Sequence, residues 1–396
     1  MTAEPAAPAV ERRTRPRNRR QLIIAAAAQL FYRDGFDHVG MGDIAEAVGI
    51  GPSALYRHFS GKQDLLTAVI DAGFQPVAAL IDEIDLRDSS TTLQRLGELA
   101  LDERYVGVLW RRESRYLPPD ARARQRGDLF RMSAQLADKV RCARTDLGTD
   151  AADLLAWSLL AVLASPSFHR LELPRADYVR LLAELAATVL DTTVPTGFSA
   201  GDRYTGSSNL LPFSRREALL TEAVRMFATY GYAEVGIEDI GKAVGVTGPS
   251  IYNHFSSKLD MLTTAFDRGG AALLLDLSPV FSDATDAGDA LGRLIGDYIS
   301  FCRAHHHLIG LLVTEVDHLP AEHRQRARQV QHDYVSEWVH LLRSVVPELD
   351  APTARIRVHA ALAVINDAAR MPHLRTSADL GPVLNSLSLR LLSVER

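Results

Sequence analysis

The stretch ALYRHFSGKQDLL, from Ala54 to Leu66, returns later in the chain as SIYNHFSSKLDML, from Ser250 to Leu262. Both stretches carry a Tyr, then His-Phe-Ser, then a Lys and an Asp at the same spacing. Tyr56 and Tyr252 set an offset of 196, and at that offset roughly 16 of the 36 positions from residue 31 to residue 66 are identical. A match of this quality without gaps indicates an internal duplication.

The duplication extends well beyond this motif. RESRYLPPDAR (residues 112–122) resembles TEVDHLPAEHR (residues 314–324), now at an offset of 202. The second copy has therefore gained about six residues between the two matches, and whole domains are repeated.

The two copies meet in a segment rich in Gly, Ser, Thr and Pro that lacks helical periodicity, which predicts a linker. For the 396 residues we expect a disordered basic arm and then, in each copy, a small head followed by a larger helical body. The predicted ranges are 1–15 for the arm, 16–62 for head 1, 63–192 for body 1, 193–213 for the linker, 214–258 for head 2 and 259–396 for body 2.

Composition excludes several classes of protein. The net charge is −5, so any surface that binds a polyanion has to be local. The only two cysteines, Cys142 and Cys302, lie too far apart for a disulfide framework or a zinc ribbon, and we expect them to be small buried side chains in a reducing, cytoplasmic protein. No signal peptide is recognisable, and no apolar run approaches the ~20 residues that cross a bilayer.

The apolar residues recur with a helical period, and no strand alternation is present, so the sequence predicts an all-α fold. In each head, a first helix should end at Gly35 or Gly231 in the left-handed conformation. A short second helix ending at Gly49 or Gly245, a tight turn and a short third helix describe a helix-turn-helix.

These residues resemble the TetR family of bacterial transcriptional regulators. The resemblance rests on the Phe-x-x-x-Gly-Phe/Tyr helix end, on IAEAVGI and IGKAVGV, and on LYRHFSGKQDLL and IYNHFSSKLDML. The tandem arrangement, the length and the stretch VLWRRESRYL are also similar to double-headed mycobacterial members that control an operon named for invasion of mammalian cells. The family implies a three-helix DNA-binding head and a helical body that binds an effector and dimerises, so two tandem units would form a pseudo-dimer within one chain.

We expect the third helix of each head to enter the major groove of DNA, whose width fits one helix. The resemblance adds phosphate contacts from the two tyrosines and from the lysine that follows each motif, which position a protein without reading sequence. The predicted DNA-binding residues are Arg19, Arg20, Gly51, Ser53, Ala54, Tyr56, Arg57, His58 and Lys62 in copy one, and Arg215, Arg216, Thr247, Gly248, Ser250, Tyr252, Asn253, His254 and Lys258 in copy two.

The two predicted reading faces differ. Arg57 suits guanine, whereas Asn253 in the equivalent place suits adenine, so we expect an operator with two unlike half-sites. The arginines of the N-terminal arm (Arg12, Arg13, Arg15 and Arg17) are candidates for a minor groove, and a solvated tail is the alternative.

Six aromatic residues are candidates for an apolar effector pocket, and ordinary core packing is the alternative. They are Trp110, Tyr116, Trp157, Phe168, Phe301 and Trp338. Glu113 and Glu315 follow apolar runs, and we expect each to be partly buried beside an arginine such as Arg112 or Arg115. Three adjacent histidines from His305 point about 100° apart on a helix, so we expect no metal site there.

No catalytic motif is present, and we expect neither a cofactor nor an enzymatic activity. The sequence favours a DNA-binding transcriptional regulator, most simply a repressor released by a small apolar effector of lipid or sterol origin. The alternative is a binding module in which only one head contacts DNA and the second repeat is a pseudo-dimer partner. We expect operator DNA and an unidentified effector as partners, and we expect no membrane partner. The expected oligomeric state is a monomeric pseudo-dimer, with a homodimer as the alternative.

Overall fold

The computed structural model describes residues 18–201, 212–246 and 248–394, and within these ranges it contains helices and no strand. The predicted all-α class is therefore confirmed. Copy one contains α1 (Arg19–Asp34), α2 (Met41–Val48), α3 (Pro52–Leu55), α4 (Lys62–Glu83), α5 (Ser89–Asp102), α6 (Tyr105–Val108), α7 (Pro119–Ala143), α8 (Thr149–Ala164) and α9 (Arg175–Leu190).

Copy two repeats this order with two additional short helices. It contains α10 (Arg215–Tyr230), α11 (Ile237–Ala243), α12 (Gly248–Ile251), α13 (Lys258–Leu275), α14 (Leu277–Asp283), α15 (Ala287–Ala304), α16 (His306–Thr314), α17 (Ala321–Val345), α18 (Ala351–Arg370), α19 (Pro372–Arg375) and α20 (Leu380–Leu391). A π-helical turn covers Leu109–Glu113, and 3₁₀ turns cover Ser114–Tyr116, Ser165–Phe168 and Val316–His318.

The chain forms two compact units, one ending at Ala72 and the other beginning at Gly73. The first unit is head 1, where the apolar stripe of α1 (Ile23, Ala27 and Phe31) is buried with Ile44 of α2. The rings of Phe31 and Phe36 are 5.3 Å apart, which closes the core at the end of α1. The 3.6-residue period of α1 thus places one face in the core.

Glycine ends the first helix of each head, though not in the conformation that the sequence suggests. Gly35 has φ 85° and ψ 151°, and Gly231 has φ 90° and ψ 146°. Positive φ agrees with the expectation, but the extended ψ is outside the left-handed helical region. Without a Cβ, glycine reaches this combination cheaply, and the chain leaves the helix in an extended direction.

The second unit contains both bodies and head 2. Its centre is a four-helix arrangement in which α8 of copy one packs against α18 of copy two, and α9 packs against α20. The facing side of α8 is almost entirely apolar, and Leu155 and Leu159 are fully buried. Burying such a face is the main source of stability at a helical interface. The two bodies therefore share one core.

Polar pairs cross the seam between the copies. Arg111 of copy one bonds to Asp367 of copy two, and the guanidinium of Arg357 bonds to Glu184. His373 Nε2 lies 2.7 Å from Asp153 Oδ2. Five of the six side chains are largely withdrawn from water, where an unpaired charge is costly, whereas Glu184 is exposed, so these contacts help to fix the relative register of the two bodies.

Two histidine rings also meet at this seam. His169 of copy one and His359 of copy two stack with their centroids 4.7 Å apart. Burial lowers the pKa of His169 to about 3, and the neighbouring His359 and Arg104 add to that effect. Burial, followed by the charge of Arg355, lowers the pKa of His359 to about 4. Both imidazoles are neutral in the folded protein at neutral pH.

Two helices are long and apolar enough to cross a membrane when only length and composition are considered: Lys62–Glu83 and Thr149–Phe168. The sequence-based expectation that no apolar run reaches this length is therefore wrong for the second of these. Of the apolar window of this second helix, 72% is buried inside the protein, because its apolar side chains pack in the seam between the copies.

We predict that acid weakens this seam. The unfolded chain binds protons at both histidines below about pH 6.5, whereas the folded chain resists protonation until about pH 3 to 4, so the free energy of unfolding decreases as the pH falls through this window. Urea denaturation should show a loss of about 2 kcal/mol per imidazole between pH 7 and pH 5. The double variant His169→Asn/His359→Gln should lose that part of the pH dependence. The control His332→Asn, at an exposed histidine, should retain it.

Candidate nucleic-acid interface

The turn between the second and third helices of head 1 is built from backbone contacts. Asp43 Oδ2 accepts a hydrogen bond of 2.7 Å from Gly40 N and so caps the start of α2. Gly49 has φ 65° and ψ 41°, and its neighbour Ile50 N donates to Ala45 O across the helix end at 2.9 Å. This helix-terminating pattern requires a left-handed residue, and it brings α3 back across α2.

Head 2 repeats this construction. Asp239 Oδ2 accepts from Gly236 N at 3.1 Å, and Val246 N donates to Gly241 O at 2.8 Å. Gly245 has φ 70°. Gly241 occurs where copy one has Ala45, and a Cβ at Gly241 would meet the side chain of Ile251. The side chain of Ile251 thus occupies the space that the Ala45 methyl group occupies in head 1.

The residues of the repeated motif have three different structural roles: buried anchors, helix-start contacts and exposed side chains. Leu55 and Phe59 in head 1, and Ile251 and Phe255 in head 2, are buried and hold the segment against its domain. Ser60 N donates to Asp64 Oδ2 at 2.8 Å, and Ser256 N does the same to Asp260 at 2.8 Å. In head 2 the helix that follows is capped by Ser257, whose Oγ accepts a hydrogen bond of 3.0 Å from Asp260 N.

The third kind is exposed. Tyr56 and Tyr252 keep 55% and 57% of their surface accessible, although both are large aromatic residues. Arg57, His58 and Asn253 are exposed, and His254 is half-buried. These side chains alternate with the buried anchors, so every one of them is fixed in direction without being used in the core.

The third helices are shorter than the sequence suggests. α3 ends at Leu55 and α12 ends at Ile251, so the exposed Tyr-x-His triplets lie in the turn just beyond each helix. The expectation that the helices themselves carry Arg57 and Asn253 is therefore corrected. Phe59 N still donates to Leu55 O, and Phe255 N to Ile251 O, so the chain stays coiled through each triplet.

The remaining predicted contact positions precede this triplet. Gly51 is exposed and caps α3, Ser53 is exposed, and Ala54 is half-buried. Gly248 starts α12, and Ser250 is half-buried. Thr247 and the arginines of the N-terminal arm lie outside the described residues.

A difference in register distinguishes the two third helices, and sequence reasoning missed it. Gly-Pro-Ser occupies residues 51–53 in copy one and residues 248–250 in copy two, an offset of 197 where the flanking residues keep 196. Pro52 is therefore the first residue of α3, whereas Gly248 is the first residue of α12. A search of the repeat for one-residue slips would have found this signal.

The paired arginines at the start of each head have structural partners. The guanidinium of Arg20 lies 4.9 Å from the centre of the Phe59 ring, and that of Arg216 lies 4.0 Å from the Phe255 ring. Arg216 also donates to His254 O, and Arg215 donates to Val244 O at 3.2 Å. These arginines stack on the buried anchors of the motif and so support the reading segment from behind, while Arg19 is half-buried in the first turn of α1.

The two motif lysines also contact their own domains. Lys62 Nζ lies 4.2 Å above the Phe36 ring. Lys258 Nζ donates to Tyr232 O at 2.7 Å and to Val235 O at 2.9 Å, and it lies 4.3 Å above the Tyr232 ring. Partial burial lowers the pKa of Lys258, against the opposing effect of nearby carboxylates. Lys258 therefore binds the backbone of the loop between α10 and α11 in head 2, a role that the sequence did not reveal.

Comparison with known proteins agrees with this geometry. The family described as "Bacterial regulatory proteins, tetR family" matches residues 23–69 and again residues 219–265, which are the two heads. The chain thus carries two TetR-family domains in tandem. Both matched ranges of this TetR protein contain the capped second helix, the glycine turn, the third helix and the start of the long helix that follows.

Relatives of the TetR protein cover parts of it. The nucleoid occlusion factor SlmA of Cronobacter sakazakii is 34% identical over 92 residues, which is 23% of this chain and 46% of SlmA. The transcriptional activator FasR of Mycolicibacterium smegmatis is 27% identical over 156 residues, which is 39% of this chain and 71% of FasR. This chain thus matches about half the length of SlmA.

Among solved structures, the ketosteroid transcriptional regulator KstR2 of Mycobacterium tuberculosis aligns with 46% of this chain and 95% of its own, with a TM-score of 0.42 and 19% identity.

The six aromatic candidates for an effector pocket are spread through the bodies of the TetR protein. Trp157 is buried and meets Phe130 edge to face at 5.5 Å. Trp110 lies 5.6 Å from Phe74, and Phe168 lies beneath the guanidinium of Arg111. Trp157 and Trp338 are core residues, Phe301 is buried beside His305, and Tyr116 is half-buried under Arg115. The structure does not bring the six into one pocket.

A described cavity of about 270 Å³ lies elsewhere in the TetR protein, between α7, α8, α19 and the start of the linker. Its wall combines alanines with polar side chains such as Asp138, Arg141, Asp150 and His373, and it includes none of the six aromatic candidates. The predicted apolar pocket is thus not the cavity that these residues enclose.

The expectation for acidic residues and cysteines is met in part. Glu113 and Glu315 are buried and each lies beside an arginine, Arg112 at 2.5 Å and Arg115 at 2.6 Å. Cys302 is buried as expected, but Cys142 is exposed because it lies on the outward face of α7. In the ranges that the structure describes, no three His, Cys, Asp or Glu side chains are grouped for a metal ion.

We predict that two glycines of α2 in head 1 respond oppositely to alanine. Gly49 requires a positive φ, so Gly49→Ala should lower the free energy of unfolding by about 1 kcal/mol. Gly42 lies in the first turn of the same helix with open space around its Cβ position, so Gly42→Ala should raise it by several tenths of a kcal/mol. Urea denaturation of the full chain measures both. Equal effects would contradict the assigned turn.

Proposed function

We propose that this chain is a sequence-specific DNA-binding transcriptional regulator that contacts one duplex with two covalently joined heads. The observation that carries the proposal is the exposed Tyr-x-His triplet of each head, held by a buried Phe on one side and a capped helix on the other. Exposed tyrosines and polar side chains on a rigid turn add nothing to the packing of the core, but they can contact phosphates and base edges.

The triplets carry different side chains at the position between Tyr and His, and we propose that they read different bases. The guanidinium of Arg57 can donate two hydrogen bonds to O6 and N7 of guanine. The amide of Asn253 can donate to N7 and accept from N6 of adenine. Two unlike half-sites are therefore favoured over a palindrome, with a spacing close to one helical turn or somewhat more.

The heads also differ in charge. Residues 16–62 contain six basic and four acidic side chains, whereas residues 214–258 contain five of each. Since counterion release from DNA scales with the basic contacts made, head 1 should contribute the larger part of the salt-dependent affinity, and head 2 should contribute more through base contacts.

We propose further that the regulator is a repressor released by a small apolar effector, and that body 2 binds it. At matched positions body 1 has Leu96, Met132 and Leu136, whereas body 2 has Tyr298, Tyr334 and Trp338.

All three side chains of body 2 are buried, and the Trp338 ring lies 5.8 Å from that of Tyr298 and 6.4 Å from that of Tyr334. An effector with one acceptor oxygen on an apolar body, such as a lipid or sterol derivative, fits an aromatic interior whose polar groups are two hydroxyls and one indole N–H.

A second candidate function is a module with one DNA-competent head. Lys258 is engaged by backbone carbonyls and head 2 has no net excess of basic residues, which favours a head 2 that only completes the pseudo-dimer. Against it, head 2 keeps an exposed Tyr252 and Asn253, which a merely structural domain does not need.

We propose that the protein acts in the cytoplasm as a monomer whose two bodies replace the usual pair of subunits, with no membrane partner. The shared seam of α8 with α18 and α9 with α20 supports this arrangement, since it buries within one chain the faces that a homodimer would bury between chains. A mass measurement of the DNA complex distinguishes one chain per operator from two.

We predict half-site-specific losses on DNA. With a duplex selected by the wild-type chain from a random pool, Arg57→Ala should weaken protection of one half-site by about 10- to 100-fold, which matches the loss of a bidentate base contact of about 1–3 kcal/mol. Asn253→Ala should do the same at the other half-site. Quantitative footprinting reports the two halves separately.

Arg95→Ala, at an exposed arginine of body 1, is the matched control and should leave both half-sites unchanged. If Asn253→Ala also has no effect, only head 1 contacts bases and the second candidate function is correct. If the wild-type chain selects no duplex, neither function holds.

We predict that one compound from a panel of fatty acids, acyl thioesters and sterol-derived acids lowers DNA affinity at least tenfold, measured by fluorescence anisotropy of labelled operator. Trp338→Phe keeps the apolar bulk and removes the N–H, so it should reduce this response while DNA binding without effector stays unchanged. Trp157→Phe in body 1 is the matched control. A response lost in Trp157→Phe and kept in Trp338→Phe would assign the effector to body 1.

A further inference from the structure

A buried ion pair joins the first copy to the base of the second head. Arg115, which follows the π-helical turn of copy one, has a guanidinium nitrogen 2.6 Å from Glu315 Oε2 of copy two. The same arginine donates to Thr314 O and to the hydroxyl of Tyr116. Copy one thus holds the end of α16 through both backbone and side chain.

Glu315 remains ionised in this position. Its side chain is only 2% exposed, and burial by itself opposes ionisation. The contact with His318 and the charge of Arg115 outweigh the burial, so the pKa of Glu315 lies below its usual range. A buried carboxylate of this kind depends on its partners, because removal of one leaves a charge without compensation.

The contacts continue from Glu315 into head 2. His318 Nδ1 lies 3.1 Å from Glu315 Oε2, and the ring of His318 lies 5.0 Å from that of Tyr232. Tyr232 belongs to the loop between α10 and α11, and Lys258, the first residue of α13, lies above its ring and donates to its carbonyl oxygen. The contacts therefore run from Arg115 to the residue that fixes the start of α13.

Helix packing supports the same path. α16 packs against the π-helical turn Leu109–Glu113 of copy one, and it also packs against α10, the first helix of head 2. A displacement of the turn in copy one is therefore transmitted to head 2 by rigid elements as well as by the polar contacts.

The reverse link cannot be made with the same pair of residues. At the offset of 202, Arg115 corresponds to Asp317 and Glu315 corresponds to Glu113, so the equivalent contact would bring together two carboxylates. Instead, Glu113 lies 2.5 Å from Arg112 of its own copy, and Asp317 lies 3.2 Å from Arg328 of its own copy. The duplication has lost its symmetry at this position.

We propose that Arg115 is a positioning residue through which the body of the first copy sets the DNA-reading state of head 2. This rests on the proposed DNA-binding function. The contact acts by keeping Glu315, His318 and Tyr232 in register with Lys258, and so by fixing the loop and helix that support the Tyr252 triplet.

The first experiment needs no DNA. Amide hydrogen exchange of Arg115→Met should be about tenfold faster than wild type in residues 232–235 and 258–262, because their support is lost, and unchanged in residues 31–66. The matched control is Arg357→Met, which breaks another ion pair between the copies, with Glu184 of α9, and lies outside the π-helical turn that packs against α16. It should leave residues 232–235 and 258–262 at wild-type rates.

The second experiment measures the two half-sites on the duplex selected by the wild-type chain. Arg115→Met should weaken the half-site assigned to head 2 by about tenfold and leave the half-site of head 1 unchanged, a coupling of ordinary size. Arg115→Lys keeps the charge and should recover most of the loss, and Arg357→Met should not discriminate between the halves.

Equal losses at both half-sites, equal exchange in Arg115→Met and Arg357→Met, or no change in either measurement would overturn the proposal. If Arg115→Met does not fold, Glu315→Gln removes the same charge pair and is judged by the same outcomes. A wild-type chain that selects no duplex refutes the proposed function, while the exchange experiment still decides whether copy one controls head 2.

Discussion

Burial of one phenylalanine in each head is the constraint on which the rest of the site depends. Phe59 and Phe255 are fixed in the core from one side and covered by the guanidinium of Arg20 or Arg216 from the other. The residues just before them, from Tyr56 to His58 and from Tyr252 to His254, then have to face outward, because the coiled chain cannot bury adjacent side chains in one direction. A reading surface thus follows from the packing of a single apolar side chain.

Covalent joining of the copies allows the two surfaces to differ. In a homodimer every substitution appears twice, so a change that suits one half-site is imposed on both. In one chain, Arg57 and Asn253 can occupy equivalent places, and a buried pair such as Arg115 with Glu315 can exist on one side only. The aromatic interior of body 2, set against the aliphatic positions of body 1, follows the same logic. The chain keeps the framework of a symmetric dimer and specialises its parts.

Much of the fold could be predicted because it depends on local rules. The helical period, the glycines that end α2 and α11, and the carboxylates that cap helices act within a few residues. The predicted contact residues of the first triplet are exposed, as are Tyr252 and Asn253 of the second, whereas His254 is half-buried. Less predictable were the exact helix ends and the roles of Arg20, Arg216 and Lys258. A basic side chain looks the same in sequence whether it contacts a phosphate or stacks on a ring.

By itself, the sequence of this TetR protein determined the duplication, the all-α class and the alternation of buried and exposed residues in each head, since these depend on spacing along the chain. Only the tertiary structure decided which residues of one copy meet the other. Arg115 and Glu315 are 200 positions apart, and so the choice between a partner in the same copy and one across the seam depends on how α8, α9, α18 and α20 pack. Packing of long-range apolar faces, rather than any local pattern, makes that choice.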